Sequence, residues 1–264
     1  MRIKVLALFV AIQILSLGLW QQVSGQNTTV EMPVSAIHAA SDALFENMSF
    51  TSRNREGNIT NASPEVLEGE IKAVFAQLPA NHVSSVKNVI LDYSSTAYRG
   101  LGGKQMIILR SAMAYNELAG VLIHELGHNV DLITIHSIQN SRVSEFKDGQ
   151  TPVFEDDLSL DFYRISWMNE ITRKKTATNF DFVSGYAMTD PFEDFAETYV
   201  YYVLHNRDFK ALTATNAALA AKYNFMHDVV FEGQDFDTGN SLVATNRRSW
   251  DVTVLPYNLD NFLN

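Results

Sequence analysis

Residues 121–132 read VLIHELGHNVDL and set His124, Glu125 and His128 in the order H-E-x-x-H. On an α-helix, residues four apart share a face. His124 and His128 would then point the same way and could share one metal ion. Two neutral imidazoles suit zinc, with Zn–N distances near about 2.0–2.1 Å. Glu125 follows the first histidine, so it would lie beside the metal and could take a proton from a water there. A catalytic zinc takes three protein ligands and keeps one position open, so the motif needs a further ligand from elsewhere in the chain. The flanking Val121, Leu122, Ile123 and Leu126 predict a helix buried on most sides. Unpartnered polar groups are costly there, and a metal is their simplest partner.

The search for that ligand closes one route first. The metzincin pattern needs Gly at 131 and His at 134, where this chain has Asp131 and Thr134. His136, His205 and His227 each stand alone, with no partner at metal-ligand spacing. The better candidate is in residues 184–203, SGYAMTDPFEDFAETYVYYV. Asp190 and Pro191 start a helix there, and Glu193 and Glu197 lie four apart on one face of it. By itself Glu193 also fits a capping box, three residues after Asp190. Glu197, amid Phe195, Ala196, Tyr199 and Val200, is not in the setting of a solvated face. Two helices, one presenting His124 and His128 and the other Glu193, would make a His₂Glu zinc site. Glu197 could then accept a hydrogen bond from the second nitrogen of a ligand histidine. Asp131, three residues after His128 and seven after His124, shares their face and could do the same.

The elements that must position these residues follow from pattern and punctuation. Ser63-Pro64-Glu65 predicts a helix start, and Val66, Ile71, Val74, Phe75 and Leu78 predict its apolar face, with Pro79 as its end. Val89-Ile90-Leu91 predicts a buried strand, and residues 105–110, QMIILR, a second strand just before the H-E-x-x-H helix. That second strand is expected to form the cleft edge and to pair with an extended peptide. Gly100-Leu101-Gly102-Gly103 reads as a flexible loop near it, without the spacing of a phosphate loop. Val34, Ile37, Leu44, Phe45 and Met48 fall near helical spacing, ahead of a polar, turn-rich loop. Asp157, Ser159 and Asp161, and Asp235 and Asp237, alternate without the Gly and distal Glu of a calcium loop, so both stretches read as solvated loops. The order of elements predicts an α+β fold with a zincin-like domain. Its N-terminal half would hold a small sheet and the active-site helix, and its C-terminal half would be mostly helical.

HELGHNVD followed by SGYAMTDPFEDFAE resembles the catalytic domain of gluzincin metallopeptidases, and most nearly the anthrax lethal factor-like family. That family has a similar H-E-x-G-H-x-V-D helix, and a Tyr-Gly or Tyr-Ala pair seven residues before the Glu of an E-x-F-A-E segment. Here Tyr186 precedes Glu193 by seven. The resemblance covers about 80 residues, from Gly120 to Val203. It implies zinc ligands His124, His128 and Glu193, Glu125 as general base, Tyr186 donating to the oxyanion, and Glu197 supporting a ligand. It implies peptide hydrolysis, with a peptide or protein as substrate and Zn2+ as cofactor. The family's other toxin domains have no counterpart here. A non-catalytic zinc-dependent binding or structural protein would need neither Glu125 nor Tyr186. A peptidase restricted to one protein partner would keep both, and an aminopeptidase would need a site for a free α-amine, which no motif assigns, so an endopeptidase is expected.

Composition narrows the setting. The chain opens MRIKVLALFVAIQILSLGLWQQVSGQ, with a basic start, an apolar run and a small-residue exit. This predicts a signal peptide over residues 1–25, cleaved after Gly25, and a secreted or periplasmic protein. A polar, partly ordered segment is expected over 26–64 and the catalytic domain over 65–264. No later segment is apolar enough to span a membrane. With no cysteine, the chain has neither disulfides nor an acceptor for a lipid anchor. After cleavage, 18 basic residues face 30 acidic ones. That balance leaves no electrostatic footprint for nucleic acid or anionic lipid. Sequons fall at Asn27, Asn47, Asn58 and Asn61.

Overall fold

The computed structural model describes residues 43–54, 63–94, 98–110, 115–136, 142–239 and 248–263. The expected signal peptide, the helical positions Val34 and Ile37, and the sequons at Asn27, Asn58 and Asn61 lie outside them. Asn47 sits in an exposed turn. The described residues fall within one compact unit, Ala40–Asn264.

A four-stranded sheet organises the first half. Its strands are β1 (Ser49–Arg53), β2 (Asn88–Asp92), β3 (Gly100–Gly103) and β4 (Met106–Arg110), in the order β1-β2-β4-β3. The first three strands in that order run parallel, while β3 runs antiparallel to β4, with Gly100 opposite Leu109. Because β1 belongs to this sheet, the domain begins before the boundary expected at residue 65. Central β2 buries Val89 and Leu91, as a strand paired on both sides should. Two expectations change here. β4 is an interior strand, so it cannot offer a free edge. The Gly-rich stretch expected as a loop is instead the edge strand β3.

Helix α1 (Pro64–Phe75) starts where Ser63-Pro64 indicates, with the Ser63 side chain accepting from Val66 N. Its buried face runs through Leu67, Ile71, Val74 and Phe75, whereas Val66 is 51 % exposed. The apolar stripe is thus one residue out of phase with the expected start, since Leu67, not Val66, is a full turn from Ile71. A short helix α2 (Ala80–Val83) leads into β2. His82 on it sits between Tyr199 Oη and the Val230 carbonyl, each 2.9 Å away.

Helix α3 (Leu118–Asn129) carries the H-E-x-x-H residues and continues into a π-helical turn, Val130–Thr134. It is buried almost all round, as its flanking residues predict. The second half is not helical from its start. Hairpin β5–β6 (Val143–Asp148, Thr151–Phe154), helix α4 (Ser159–Ser166) and the small pair β7–β8 (Trp167–Asn169, Thr172–Arg173) come first. Helices α5 (Pro191–Leu204), α6 (Asn206–Thr213), α7 (Ala217–Phe225) and the short α8 (Leu259–Leu263) then complete an α+β domain. Among the described residues, no helix is long and apolar enough to cross a membrane.

The core is continuous from the sheet through α3 to α5, whose Phe195, Ala196, Tyr199 and Val200 are fully buried. Helices α3 and α5 pack closely because Gly127 has no side chain. A Cβ there would lie 3.1 Å from Ala196 Cα and 3.2 Å from Tyr199 Cβ.

Candidate metal centre

Helix α3 brings His124 and His128 to one side, one turn apart, with ring centroids 5.0 Å apart. Helix α5 meets them from its first turn. Asp190 caps that helix, accepting from Phe192 N at 3.0 Å and Glu193 N at 2.9 Å. The cap leaves the Glu193 carboxylate free to point at the histidines, although its sequence position also fits a capping box. Glu193 Oε2 lies 3.1 Å from His124 Nε2 and 3.4 Å from His128 Nε2. Among the described residues, these three side chains form the group whose ligand atoms could hold a metal ion, all within 4.8 Å of one another.

The group fits a metal. Glu193 Oε2 is buried and makes no hydrogen bond, even though two imidazole nitrogens face it. Three acceptor-capable atoms converging on one point need a cation between them, and two imidazoles with a carboxylate suit zinc. The charges agree. Burial alone would lower the pKa of both histidines, but the Glu193 carboxylate wins and raises them. Burial alone would raise Glu193, but the two imidazoles hold it well below the usual carboxylate range. The centre therefore attracts positive charge, which an ion can supply in place of protons.

The neighbours are ordered around this group. Glu197 Oε1 lies 3.0 Å from His124 Nδ1. Its other oxygen accepts from Ser184 Oγ at 2.5 Å and from Val252 N at 2.9 Å. Glu197 thus ties α3 and α5 to the loop before Tyr186 and to the C-terminal segment. Tyr186 Oη donates to Glu193 Oε1 at 2.9 Å, and its ring stacks on His124 with centroids 6.0 Å apart. Glu125 is buried beside the histidines, and desolvation raises its pKa. Asp131 differs from expectation: no ring nitrogen of His124 or His128 is among its hydrogen-bond partners. It instead accepts from Ser159 Oγ at 2.5 Å and Tyr163 Oη at 2.6 Å, which pin the π-helical turn to α4. The turn carries Asp131 round to that helix. Burial pushes its pKa up to about 7, against the pull of those two hydroxyls.

The other isolated histidines lie elsewhere. His136 pairs with Asp157, His227 with Asp228 at 2.6 Å, and His205 is fully buried with neither ring nitrogen partnered. Asp157 and Ser159, expected in a solvated loop, are buried, with Asp157 accepting from Ser159 N at 2.9 Å. Asp235 is exposed and accepts from Tyr202 and Tyr223.

The centre opens on a cleft of about 880 Å³, lined by β3, His124, Glu125, His128, Tyr186, Glu193 and Trp250, with Arg110 alongside. Gly100 and Gly102 let β3 lie against α3. A Cβ on Gly100 would strike the Glu125 carboxylate, and one on Gly102 the Glu125 backbone. Trp250 had no local sequence signal. It joins the site because Tyr186 N donates to its carbonyl at 2.6 Å and its ring covers Gly185. The buried ion pair of Lys222 with Asp194, at 2.7 Å, was equally unmarked, save that Lys222 sits in the otherwise apolar AALAAKYNF.

An α+β domain with this convergence of imidazoles and carboxylate on an open cleft defines a metal-binding protein built like a hydrolase. The family model described as "Putative zinc-binding metallo-peptidase" matches residues 106–250, more than half of the chain, and the chain belongs to that family. No curated protein matches it. The family is zinc-binding, and His124, His128 and Glu193 are the residues that could take the ion.

Proposed function

We propose that this chain is a secreted zinc endopeptidase of the gluzincin type, zincin-like in fold, with His124, His128 and Glu193 as ligands. One observation carries the reading. The Glu125 carboxylate, the Tyr186 hydroxyl and the metal group line the same cleft. Zinc, when bound, supplies a Lewis acid that polarises the scissile carbonyl and acidifies water. Glu125 takes the proton of the attacking water and returns it to the leaving amine. Its raised pKa suits both halves of that transfer. Tyr186 keeps its proton, since burial and the neighbouring Glu193 charge raise its pKa, and can pass its hydrogen bond to the developing oxyanion. Glu197 holds the His124 ring in one orientation.

Among the described residues β3 ends the sheet, and its outer edge would offer backbone groups to an extended peptide, the role first expected of β4. Export is proposed on the signal-peptide pattern of the opening MRIKVLALFVAIQILSLGLWQQVSG alone. The likeness to the lethal factor-like group supports Tyr186 and Glu197 in these roles.

The test is cleavage of a diverse peptide library by the zinc-loaded protein, with Glu125→Gln run alongside. Cleavage by wild type is expected, with loss of at least about 10²-fold in the variant and zinc retained. Equal turnover by both would remove Glu125 as the base. Absence of turnover in wild type with zinc bound would leave a binding protein or a peptidase restricted to one protein partner.

A further inference from the structure

The cleft contains a cation that the hydrolytic machinery leaves unused. Arg110 ends β4 and lines the cleft. Its Nη1 donates to the Gly100 carbonyl at 3.2 Å, and its Nε is buried with no hydrogen-bond partner. Among the described residues, no carboxylate forms an ion pair with it, in a chain where acids outnumber bases 30 to 20. Asp92 and Asp251 are engaged with other arginines. Asp92, its neighbour in register, accepts from Arg53 at 2.7 Å and Asn54 at 2.8 Å. The other cleft arginine, Arg99, is held by Glu117 at 2.6 Å and by Asp251. Glu125 feels the Arg110 charge, yet the two are not in an ion pair. A guanidinium presents five N–H donors in a planar fork that matches a carboxylate.

We propose that Arg110 recognises a carboxylate of the peptide bound in the cleft. The Nη end of the fork would form the bidentate pair, and the Gly100 carbonyl would hold the guanidinium in place. Gly100 is the shared neighbour of Arg110 and the Glu125 side chain, so the anion sits close to the reacting bond. The carboxylate can be an Asp or Glu side chain, in keeping with an endopeptidase, or a peptide's C-terminus, which would make the enzyme a carboxypeptidase instead. The proposal rests on the peptidase reading for the class of ligand, but its test needs no turnover.

Zinc-loaded full-length Glu125→Gln protein, arrested in hydrolysis, is titrated with two matched pairs of acetylated pentapeptides. One pair differs in C-terminal carboxylate against amide. The other, both amidated, differs in a central Asp against Asn. Binding is followed by calorimetry, with Arg110→Gln and Arg110→Lys made in the same background. In at least one pair the carboxylate should bind about tenfold tighter or more. The gap should vanish in Arg110→Gln and survive in part in Arg110→Lys. A gap in the first pair identifies the C-terminus, and one in the second identifies the side chain. Equal binding within both pairs, or a gap that persists in Arg110→Gln, overturns the proposal. Should Arg110→Gln fail to fold, the comparison with Arg110 present still decides. Equal binding overturns the proposal, and a gap that closes with added salt supports it. Absence of cleavage by protein with Glu125 intact would sink the peptidase reading alone and leave this result standing.

Discussion

At the scale of single residues, the site separates groups that could take an ion, His124, His128 and Glu193, from groups such as Glu197 that hold them in place. Glu193→Ala should lower bound zinc well below one equivalent, because the two imidazoles then lose the carboxylate that completes the set. Metal analysis after dialysis checks this, and unchanged stoichiometry would remove Glu193 as a ligand. Two histidines away from the site make a different prediction. Burial lowers both His82 and His205 to about 4, from an ordinary value of 6.5. Between those pH values the native state binds fewer protons than the unfolded chain, so stability rises with pH across the window and is lost as pH falls through it. His205 has no hydrogen bond to lose, and its share of that loss approaches about 3 kcal/mol. His205→Phe should therefore flatten the fall in urea midpoint between pH 7 and pH 4.5. A wild-type and variant pair falling in parallel would mean that His205 is not held neutral.

At the scale of elements, legibility tracks how local the cause is. H-E-x-x-H is readable because its spacing is the helix period, and the Asp190 cap because cap and first turn adjoin in sequence. Strand β3 is not readable, because GLGG has the composition of a loop. It becomes a strand only where α3 lies close enough to exclude any Cβ. On α1 only the first residue of the buried face differs, because Val66 and Leu67 are chemically alike and packing alone separates them, while Ile71, Val74, Phe75 and Leu78 are buried as expected. The same nonlocal closeness governs α3 against α5. Gly127→Ala should push the helices apart at Ala196 and Tyr199, costing about 1–3 kcal/mol. Because His128 and Glu193 ride on those helices, zinc affinity should fall along with the melting temperature. A variant that loses stability yet keeps full zinc affinity would show that the ligands are spaced by something other than this crossing.

For the whole molecule, class was legible and assembly was not. The α+β content and the zinc chemistry follow from patterns within short segments. The sheet order and the Lys222–Asp194 pair, by contrast, depend on residues brought together across the fold. That pair is fully buried, joins α7 to α5, and also receives Trp167 Nε1 at 2.9 Å on Asp194. Removing one partner leaves a charge without compensation, which costs about 3–5 kcal/mol. The metal centre joins the halves of the domain in the same way, since its histidines follow the sheet and its glutamate begins the C-terminal helices. An ion that binds this arrangement and not the unfolded chain stabilises the whole fold, by about 4 kcal/mol at a thousandfold excess over its dissociation constant. For a domain of this size that is roughly 8–16 °C in melting temperature. Chelator should lower the melting temperature of the wild type by that order, and zinc should restore it. Glu193→Ala, already without the third ligand, should respond far less to either treatment, because the link between the halves is missing before the ion is withdrawn.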